Sequence, residues 1–203
     1  MECHAKLRES VTPTASNMQL MTYSSEMEKL AESLVATCSP TTPFPITSPQ
    51  YEGAGSIYAF LTRERRDYHD LLCTVDASAY SYANDTCASD CQDYKHMVWA
   101  KSTQVGCASR RCLRAVGNLP SLYAMACVYK PSAIRLKGRP YEEGVSCSKC
   151  PDGYRCNRNQ CDAKIPSPAK TTSGAAKTSS LAMLLSAVLV TQSLEFHHLF
   201  SLN

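Results

Sequence analysis

The chain has 203 residues, of which 44% are hydrophobic and 19% are charged. It is therefore apolar enough to bury a core and too poor in charge to be mainly disordered. The net charge of +3 is spread along the sequence without a cluster of Lys and Arg among aromatic residues, which argues against a nucleic-acid partner.

Cysteine is the most informative residue type in this chain. Twelve cysteines are hard to keep as free thiols, so they indicate an oxidising, extracellular compartment, and their even number permits complete pairing. The sequon Asn84-Asp85-Thr86 predicts N-glycosylation at Asn84 and agrees with secretion. Residues Met1 to Lys6 contain no apolar signal-peptide core, so we expect a secretory chain whose natural N-terminus lies upstream.

The N-terminal half predicts a loop, a helix and a second loop in chain order. Residues 13–17 are a loop, and Ser25 with Glu28 fits a capping box at the start of a helix. The next apolar residues recur on one helical face, as core packing requires: Met27, Leu30, Ala31, Leu34 and Val35. The Pro-, Thr- and Ser-rich residues 39–53 predict a loop, and we interpret the ambiguous residues 57–79 as helical.

The middle of the chain predicts a pinned loop followed by strands. Residues 80–93 fit an irregular loop held by a disulfide, and residues 94–100 fit either a helix or a strand. Residues 104–108 and 122–129 predict strands, with a turn near 117–120 between them.

The composition changes after Pro140. Cys147, Cys150, Cys156 and Cys161 lie close together among almost no aliphatic residues, which predicts a small disulfide knot. Four thiolates could instead hold zinc, but an exported chain favours disulfides. The βαβ context of a redox Cys-x-x-Cys motif is absent.

The C-terminal residues predict a linker and a hydrophobic tail. Residues 163–180 are rich in Pro, Ser and Thr, as in a solvated and semi-extended linker. Residues 181–203 begin with a ten-residue stretch that is apolar except for Ser186, too short to span a bilayer, which takes about 20. The tail resembles a GPI-attachment signal, interrupted by Glu195, His197 and His198, and an amphipathic C-terminus is the alternative.

Three segments carry a family resemblance. Residues 94–102 (YKHMVWAKS) with VGC at 105–107 are similar to the signature Gly-His-Tyr-Thr-Gln-x-x-Trp-x-x-Ser/Thr followed by Val-Gly-Cys. Residues 126–131 (ACVYKP) resemble a closing Cys-x-Tyr-x-Pro strand, and residues 15–23 with the helix to Cys38 resemble a first helical region. Residues 4–8 (HAKLR) resemble the opening His-Asn-x-x-Arg. Together they resemble the CAP superfamily of cysteine-rich secretory, antigen 5 and pathogenesis-related-1 proteins, here a divergent animal type, venom allergen-like or peptidase-inhibitor-like.

The resemblance implies a fold and a set of disulfides. The implied fold is α+β, a three-layer α-β-α sandwich with a central antiparallel sheet over residues 1–133, followed by a small disulfide-rich hinge at 134–162. The implied pairs are Cys38–Cys112, Cys87–Cys91, Cys107–Cys127, Cys147–Cys156 and Cys150–Cys161. Cys3 and Cys73 are left over and could pair together, stay free or bridge to another chain.

Many superfamily members have a cleft in which two His and two acidic residues can bind a divalent metal. Carried over to this chain, only Asp76 and Asp93 remain, because the other positions fall near Thr42 and Gly55 and Asp93 replaces a His. A cleft without imidazole should favour a hard cation such as calcium or magnesium, or hold no metal. His96 stands where the family usually has Gln, and it either reaches the cleft or packs in the core.

Two bland alternatives accompany these cleft residues. Asp93 could cap a short helix, and Asp76 could be simply solvated. We find no Gly-x-Ser-x-Gly, His-Glu-x-x-His or phosphate-loop motif, and a Cys73 nucleophile with His69 or His96 is the only Cys-His candidate.

We therefore expect a non-enzymatic extracellular binding protein without a cofactor. The resemblance implies a sterol or fatty acid as ligand, bound through a loop at about residues 79–92 that contains Tyr80 and Tyr82. Both tyrosines could equally pack beneath that loop. The alternative function is a protein-interaction or immunomodulatory surface antigen, or a protease inhibitor, with exposed loops and the hinge in contact with an extracellular partner.

Overall fold

The computed structural model describes residues 1–40, 48–62, 68–112 and 122–163, and of Leu61, Thr62, His69 and Asp70 only the backbone. The positions near Thr42, the turn at 117–120, almost the whole linker and the tail at 181–203 lie outside the described residues. The helices are α1 (Glu2–Glu9), α2 (Ser25–Ala36), α3 (Tyr68–Leu72) and α4 (Gln92–Val98). The strands are β1 (Thr22–Tyr23), β2 (Gly55–Thr62), β3 (Tyr80–Ser81), β4 (Thr86–Cys87), β5 (Gln104–Cys112), β6 (Leu122–Lys130), β7 (Arg155–Asn157) and β8 (Gln160–Asp162).

The main sheet has four strands in the order β1-β5-β6-β2. β6 lies at its centre and pairs antiparallel with both β5 and β2, with Cys127 opposite Cys107 on one side and Ile57 on the other. The short β1 adds a parallel edge to β5, so the sheet is antiparallel except at this edge. Two hairpins, β3–β4 and β7–β8, form separate two-stranded sheets.

Helix α2 forms the layer on one face of the sheet. Because side chains alternate along a strand, Ala124, Ala126 and Val128 of β6 all face α2 and form a core with its buried residues. Gly106 of β5 lies where α2 comes nearest, since a Cβ there would meet the Glu28 backbone nitrogen and lie 2.6 Å from the Ser24 oxygen. Only a glycine lets the helix backbone approach the strand so closely.

The N-cap of α2 corrects a prediction. Ser24, not Ser25, has the extended backbone of an N-cap, and its hydroxyl accepts a hydrogen bond from the Met27 amide at 3.4 Å. Ser25 is therefore the first residue inside the helix, and Ser25 with Glu28 does not form a capping box.

Helices α1 and α4 form the opposite layer. Ile57, Met97 and Tyr129 are fully buried between this layer and the sheet. The disulfide Cys3–Cys73 joins α1 to the residue after α3. With α2 on the other face, the domain is a three-layer α-β-α sandwich of the α+β class, as the family resemblance implies.

The cysteine-rich segment packs directly on this sandwich. The backbone of Cys161 donates to Met18 at 2.6 Å and accepts from Leu20 at 2.8 Å. Arg158, at the tip of the β7–β8 hairpin, forms ion pairs with Glu2 and Glu9 of α1. Residues 134–162 therefore share hydrogen bonds and buried surface with the N-terminal layer.

All six disulfides lie among the described residues. Five of them join the same cysteines as the pairs that the resemblance implies: Cys38–Cys112, Cys87–Cys91, Cys107–Cys127, Cys147–Cys156 and Cys150–Cys161. The sixth is Cys3–Cys73, so of the three alternatives left open for these two cysteines the structure has the pair within the chain.

Candidate functional site

An open cleft of about 650 Å³ lies between residues 48–54 and 132–134, and we call it the Tyr51 cleft. Tyr51 and Ala54 are buried in its wall, whereas Ile134 is 49% exposed at its rim. The lining is mainly apolar, and Glu52 supplies its one carboxylate among the described residues: Ser48, Pro49, Tyr51, Glu52, Gly53, Ala54, Ser132, Ala133 and Ile134. A concave, mostly apolar surface of this size suits a small apolar ligand.

His96 lies behind the Tyr51 cleft and is almost completely buried. Its Nδ1 is 3.2 Å from the Ser132 hydroxyl, and its ring stacks on Tyr129 with centroids 5.7 Å apart. Burial lowers the pKa of His96 to about 4, against the smaller upward effects of the Ile134 backbone and Asp90. The imidazole is therefore neutral at physiological pH.

Tyr129 joins His96 to a second buried histidine. His4 Nε2 lies 2.8 Å from the Tyr129 hydroxyl, and burial, with smaller effects of the N-terminal charge and Arg8, lowers the pKa of His4 to about 3. Burial also raises the pKa of Tyr129, with a smaller contribution from Asp93. This cluster of two neutral imidazoles around one phenol is held by packing and hydrogen bonds, with almost none of its surface open to solvent.

The family's metal centre does not fit these residues. A Cβ at Gly55 would collide with His96 Cε1 and the Ala133 carbonyl oxygen and lie 2.6 Å from Ser132 Oγ, so an acidic side chain cannot stand there. Among the described residues, no three His, Cys, Asp or Glu side chains are grouped to hold a metal ion. The ligand set that would polarise a bound metal or its water is therefore not assembled in this part of the chain.

The two remaining acidic positions have other contacts. Asp76 is exposed and caps a short 3-10 helix, accepting hydrogen bonds from the Ser78 amide at 2.8 Å and hydroxyl at 2.7 Å, which lower its pKa. Asp93 lies in the first turn of α4 and reaches solvent. Partial desolvation raises the pKa of its carboxyl group, and the nearby Asp90 raises it further. The Asp90 carboxylate, not Asp93, accepts from the Gln92 amide at the start of that helix.

Ser132 and His96 form a nucleophile-base contact at the Tyr51 cleft. The contact is long, at 3.2 Å, and the pKa of about 4 makes His96 a weak base at neutral pH. No described carboxylate accepts a hydrogen bond from His96, so the orienting third member of a catalytic triad has no counterpart among these residues. The geometry therefore favours packing over acyl transfer.

The two loop tyrosines are both engaged beneath the hairpin β3–β4. The Tyr80 hydroxyl donates to Asp85 at 2.8 Å, and Tyr80 packs in a core with Tyr94 and Val98 of α4. The Tyr82 hydroxyl donates to the Tyr141 carbonyl oxygen at 2.9 Å, and the two rings stack with centroids 4.8 Å apart. The disulfide Cys87–Cys91 closes the segment after the hairpin.

A second concave surface of about 470 Å³ lies where this hairpin meets residues 139–143, and we call it the Trp99 groove. The rings of Tyr82 and Tyr141 form part of its wall together with Trp99. Charged side chains surround them, including a Lys149–Glu142 ion pair of 2.6 Å. Its combination of aromatic faces and polar groups differs from the apolar lining of the Tyr51 cleft.

Arg8 is a buried residue that the sequence analysis quoted only within the opening motif at residues 4–8 and to which it gave no role. Its guanidinium is 1% exposed and donates to the carbonyl oxygens of Met97, Trp99, Gln19, Ala100 and Ser102 and to the side-chain oxygen of Gln160. The spacing of His4 and Arg8, four residues apart on one helical face, is the signal that could have identified them together. Burial lowers the pKa of Arg8 to about 9, so it stays charged at neutral pH.

No helix in the described ranges is long and apolar enough to cross a membrane.

The fold and its six disulfides define a disulfide-built α+β domain of an exported kind. The family model described as the cysteine-rich secretory protein family, CAP, matches residues 1–129, which is more than half of the chain. The chain belongs to the CAP family.

Similar proteins support this assignment. "Cysteine-rich secretory protein LCCL domain-containing 1" of Mus musculus is 30% identical over 79% of this chain and 35% of its own length. "Peptidase inhibitor 16" of Homo sapiens is 29% identical over 80% of this chain and, again, 35% of its own length. This chain thus matches about a third of the length of these relatives. The crystal structure of NaASP2 with Zn2+ shares the fold, with a TM-score of 0.60 and 22% identity over 79% of this chain and 92% of that one.

Proposed function

We propose that this protein is a non-enzymatic extracellular binding protein that takes a sterol or another lipid in the Tyr51 cleft. The observation that carries the proposal is the chemistry of that cleft, which combines apolar walls with an exposed Ile134 and has no assembled metal or catalytic group among the described residues. Its volume of about 650 Å³ lies within the roughly 300–1,000 Å³ of small-molecule sites.

The Tyr51 cleft is a better place for the ligand than the tyrosine loop. Tyr80 and Tyr82 already engage their hydroxyls and much of their ring surface in contacts within the protein. A ligand on that loop would have to displace those contacts, whereas Ile134 gains burial when a ligand covers it.

The test is direct binding of radiolabelled cholesterol and of a radiolabelled fatty acid to the secreted protein. We expect Ile134→Ser to weaken binding by up to about tenfold, because Ile134 is 49% exposed and covering that surface contributes about half of the roughly 1.5–3 kcal/mol of full burial. The matched control is Val145→Ser, which removes another exposed apolar side chain, 78% accessible, from the cysteine-rich segment. Equal affinities of wild type and both variants would contradict a site at Ile134.

Two further outcomes have separate meanings. Binding that survives Ile134→Ser but is lost in Tyr80→Ser/Tyr82→Ser would place the lipid on the loop. An absence of any lipid binding by folded, disulfide-complete protein would overturn the proposal and turn the search to a protein partner.

The proposal includes location at the cell exterior, with residues 181–203 as a GPI signal. The secreted, cysteine-rich relatives and the six disulfides support export. Phosphatidylinositol-specific phospholipase C should release the protein from the surface of cells that express the whole chain. Material that stays bound after this treatment would refute the GPI anchor and leave export unaffected.

A further inference from the structure

The loop Tyr82–Asp85 at the end of the β3–β4 hairpin carries the sequon Asn84-Asp85-Thr86. The Asp85 amide donates to the Tyr82 carbonyl at 3.3 Å, and Asp85 has a φ of 49°, a left-handed conformation that Asp tolerates better than most residues. The Asp85 carboxylate turns inward and accepts from Tyr80 at 2.8 Å and Lys95 at 3.0 Å. Asp85, the middle residue of the sequon, therefore anchors the loop to the protein interior.

The other two sequon residues are accessible. Asn84 and Thr86 are both exposed, on either side of the inward-facing Asp85. An exposed hairpin loop presents the acceptor amide and the threonine hydroxyl to a transferase together. No other Asn-x-Ser/Thr with x other than Pro occurs in the sequence, so Asn84 is its single standard acceptor.

The Trp99 groove begins at the base of the same loop. Arg139, which lines the groove, donates to the Tyr82 carbonyl at 3.0 Å and to the Ala83 carbonyl at 2.8 Å. Ala83 immediately precedes Asn84 in the chain. A group attached to Asn84 therefore starts one residue away from the hydrogen bond between Ala83 and Arg139 of the groove wall. Arg139 also lies over the Tyr82 ring, 5.4 Å from its centroid.

We propose that Asn84 carries an N-linked glycan and that the first sugars of this glycan lie over the Trp99 groove. In the transfer, the Asn84 Nδ2 bonds to the anomeric carbon of a lipid-linked pyrophosphate oligosaccharide. The carbon-oxygen bond to the pyrophosphate breaks, the amide loses a proton, and the lipid pyrophosphate leaves. Export through the secretory pathway supplies this donor.

The groove has the chemistry that a covalently attached sugar needs. The C–H face of a pyranose is apolar and stacks on aromatic rings, which Trp99 provides, since the Tyr82 ring is already covered by Tyr141 and Arg139. Sugar hydroxyl and acetamide groups require charged or polar partners, which Lys101 and Arg139 provide at the rim. Because the glycan is tethered beside the groove, its local concentration is high and even weak contacts are populated.

The first measurement is the mass of the full chain secreted by a eukaryotic cell line. We expect a glycan mass that peptide-N-glycosidase F removes with conversion of Asn84 to Asp, and that Asn84→Gln and Thr86→Ala both abolish. Secreted wild-type protein without a glycan would overturn the proposal at this step.

The second measurement uses Trp99, the only tryptophan of the chain, as a reporter of the groove. We expect the rate constant for acrylamide quenching of Trp99 fluorescence to rise about twofold when the glycan is removed from folded wild-type protein, because stacked sugars shield the indole. Enzymatic removal acts on protein that is already folded and changes the chain only by converting the exposed Asn84 to Asp, so the result does not depend on how well a variant folds. Equal quenching before and after removal would overturn the placement of the sugars.

A matched control moves the glycan to the other face of the sheet. Thr37→Asn creates an acceptor sequon together with Cys38 and Ser39 at the exposed C-terminus of α2, which packs against the opposite sheet face from α4. In the double variant Asn84→Gln/Thr37→Asn, the protein carries a glycan at a site distant from the Trp99 groove. We expect its rate constant for acrylamide quenching of Trp99 to equal that of Asn84→Gln alone. Protection of Trp99 by the displaced glycan would refute a specific contact at the groove.

Discussion

At the scale of single residues, Arg8 has the largest fully buried side chain among the described residues, and it is charged. All of its hydrogen-bond acceptors are neutral oxygens. Its guanidinium ties together the last turn of α4, the residues after it, the Gln19 backbone and the β7–β8 hairpin through Gln160. The carbonyl oxygens at a helix C-terminus carry partial negative charge, which explains how a cation is tolerated there without a carboxylate.

We expect Arg8→Met to lower the free energy of unfolding by about 3–5 kcal/mol, because five carbonyls each lose a hydrogen bond from the guanidinium, and only those of Trp99 and Ala100 keep a backbone amide donor outside the regular elements. Guanidinium-induced unfolding with the disulfides intact would measure the change. The control is Arg158→Met, which removes exposed ion pairs with Glu2 and Glu9 and should cost less than about 1 kcal/mol. Similar losses in both variants would contradict a special role for Arg8.

The buried histidines give stability a defined pH dependence. His96 has a pKa of about 4 in the folded protein, lowered mainly by burial, and an ordinary value near 6.5 when unfolded. As the pH falls below about 6.5, the unfolded chain binds the proton first, so stability is full above this pH and declines down to about pH 4.

We expect this decline to approach about 1.4 kcal/mol per pH unit for each such histidine. His96→Gln should therefore flatten the curve of unfolding free energy between about pH 6.5 and pH 4 relative to wild type, with His4 still titrating. Chemical unfolding at several pH values measures the difference between the two proteins. Parallel curves would show that His96 is protonated equally in both states.

At the scale of elements, the packing of α2 on β5 depends on Gly106. We expect Gly106→Ala to cost about 2–3 kcal/mol, because the added methyl meets helix backbone rather than a movable side-chain end. Gln104→Ala, at an exposed position of the same strand, should change stability by less than about 0.5 kcal/mol. A thermal shift comparable for the two variants would contradict the close contact.

Helix α2 and strands β5 and β6 were predictable from the sequence, whereas strand β2 was not. The helical periodicity of Met27 to Val35 and the strands around residues 104–108 and 122–129 follow from the sequence. The interpretation of 57–79 as helical is wrong for β2. Ile57 faces α1 and α4 while Tyr58 and Phe60 face α2, so the strand shows a continuous apolar run without alternation.

The same limit applies to the disulfide-pinned residues. Residues 94–100 fit helix or strand equally, and α4 ends this ambiguity because Tyr94, Met97 and Val98 all pack in its two neighbouring cores. Residues 80–93, predicted as an irregular loop, contain the short strands β3 and β4. Two-residue strands leave too few positions for any periodicity to register.

At the scale of the whole molecule, the cysteine-rich segment is built into the domain rather than attached to it. Gln160 and Cys161 of this segment are buried, and its Tyr141 is buried against Tyr82, which follows strand β3. The family core and this segment consequently depend on one another for burial and for backbone hydrogen bonds.

We expect residues 1–163 to melt at the temperature of the full chain, and residues 1–133 to melt about 10 °C or more lower, or to be retained by the secreting cell. Removal of 134–163 takes away the Gln160 acceptor of Arg8 and the backbone pairing of Cys161 with Met18. Differential scanning calorimetry on the secreted proteins measures this. Equal melting temperatures for both pieces would show that the segment is an independent appendage.

The site as a whole was less predictable than the fold. The resemblance predicts substitutions at the family's metal positions, but the sequence could not show that His96 and Ser132 occupy the volume beside Gly55. Nor could spacing alone join Cys3 to Cys73, since connectivity depends on how helices meet in space.

The crowding around Gly55 also limits which substitutions this position tolerates. Any single replacement at this position meets an imidazole, a hydroxyl and a backbone carbonyl at once, so it is disfavoured before its chemistry can be of use. Replacing His96 first would remove only one of the three obstacles, because the Ala133 carbonyl belongs to the main chain. A metal ligand at position 55 is thus out of reach of a single substitution, and laboratory evolution for metal binding should find ligand positions elsewhere.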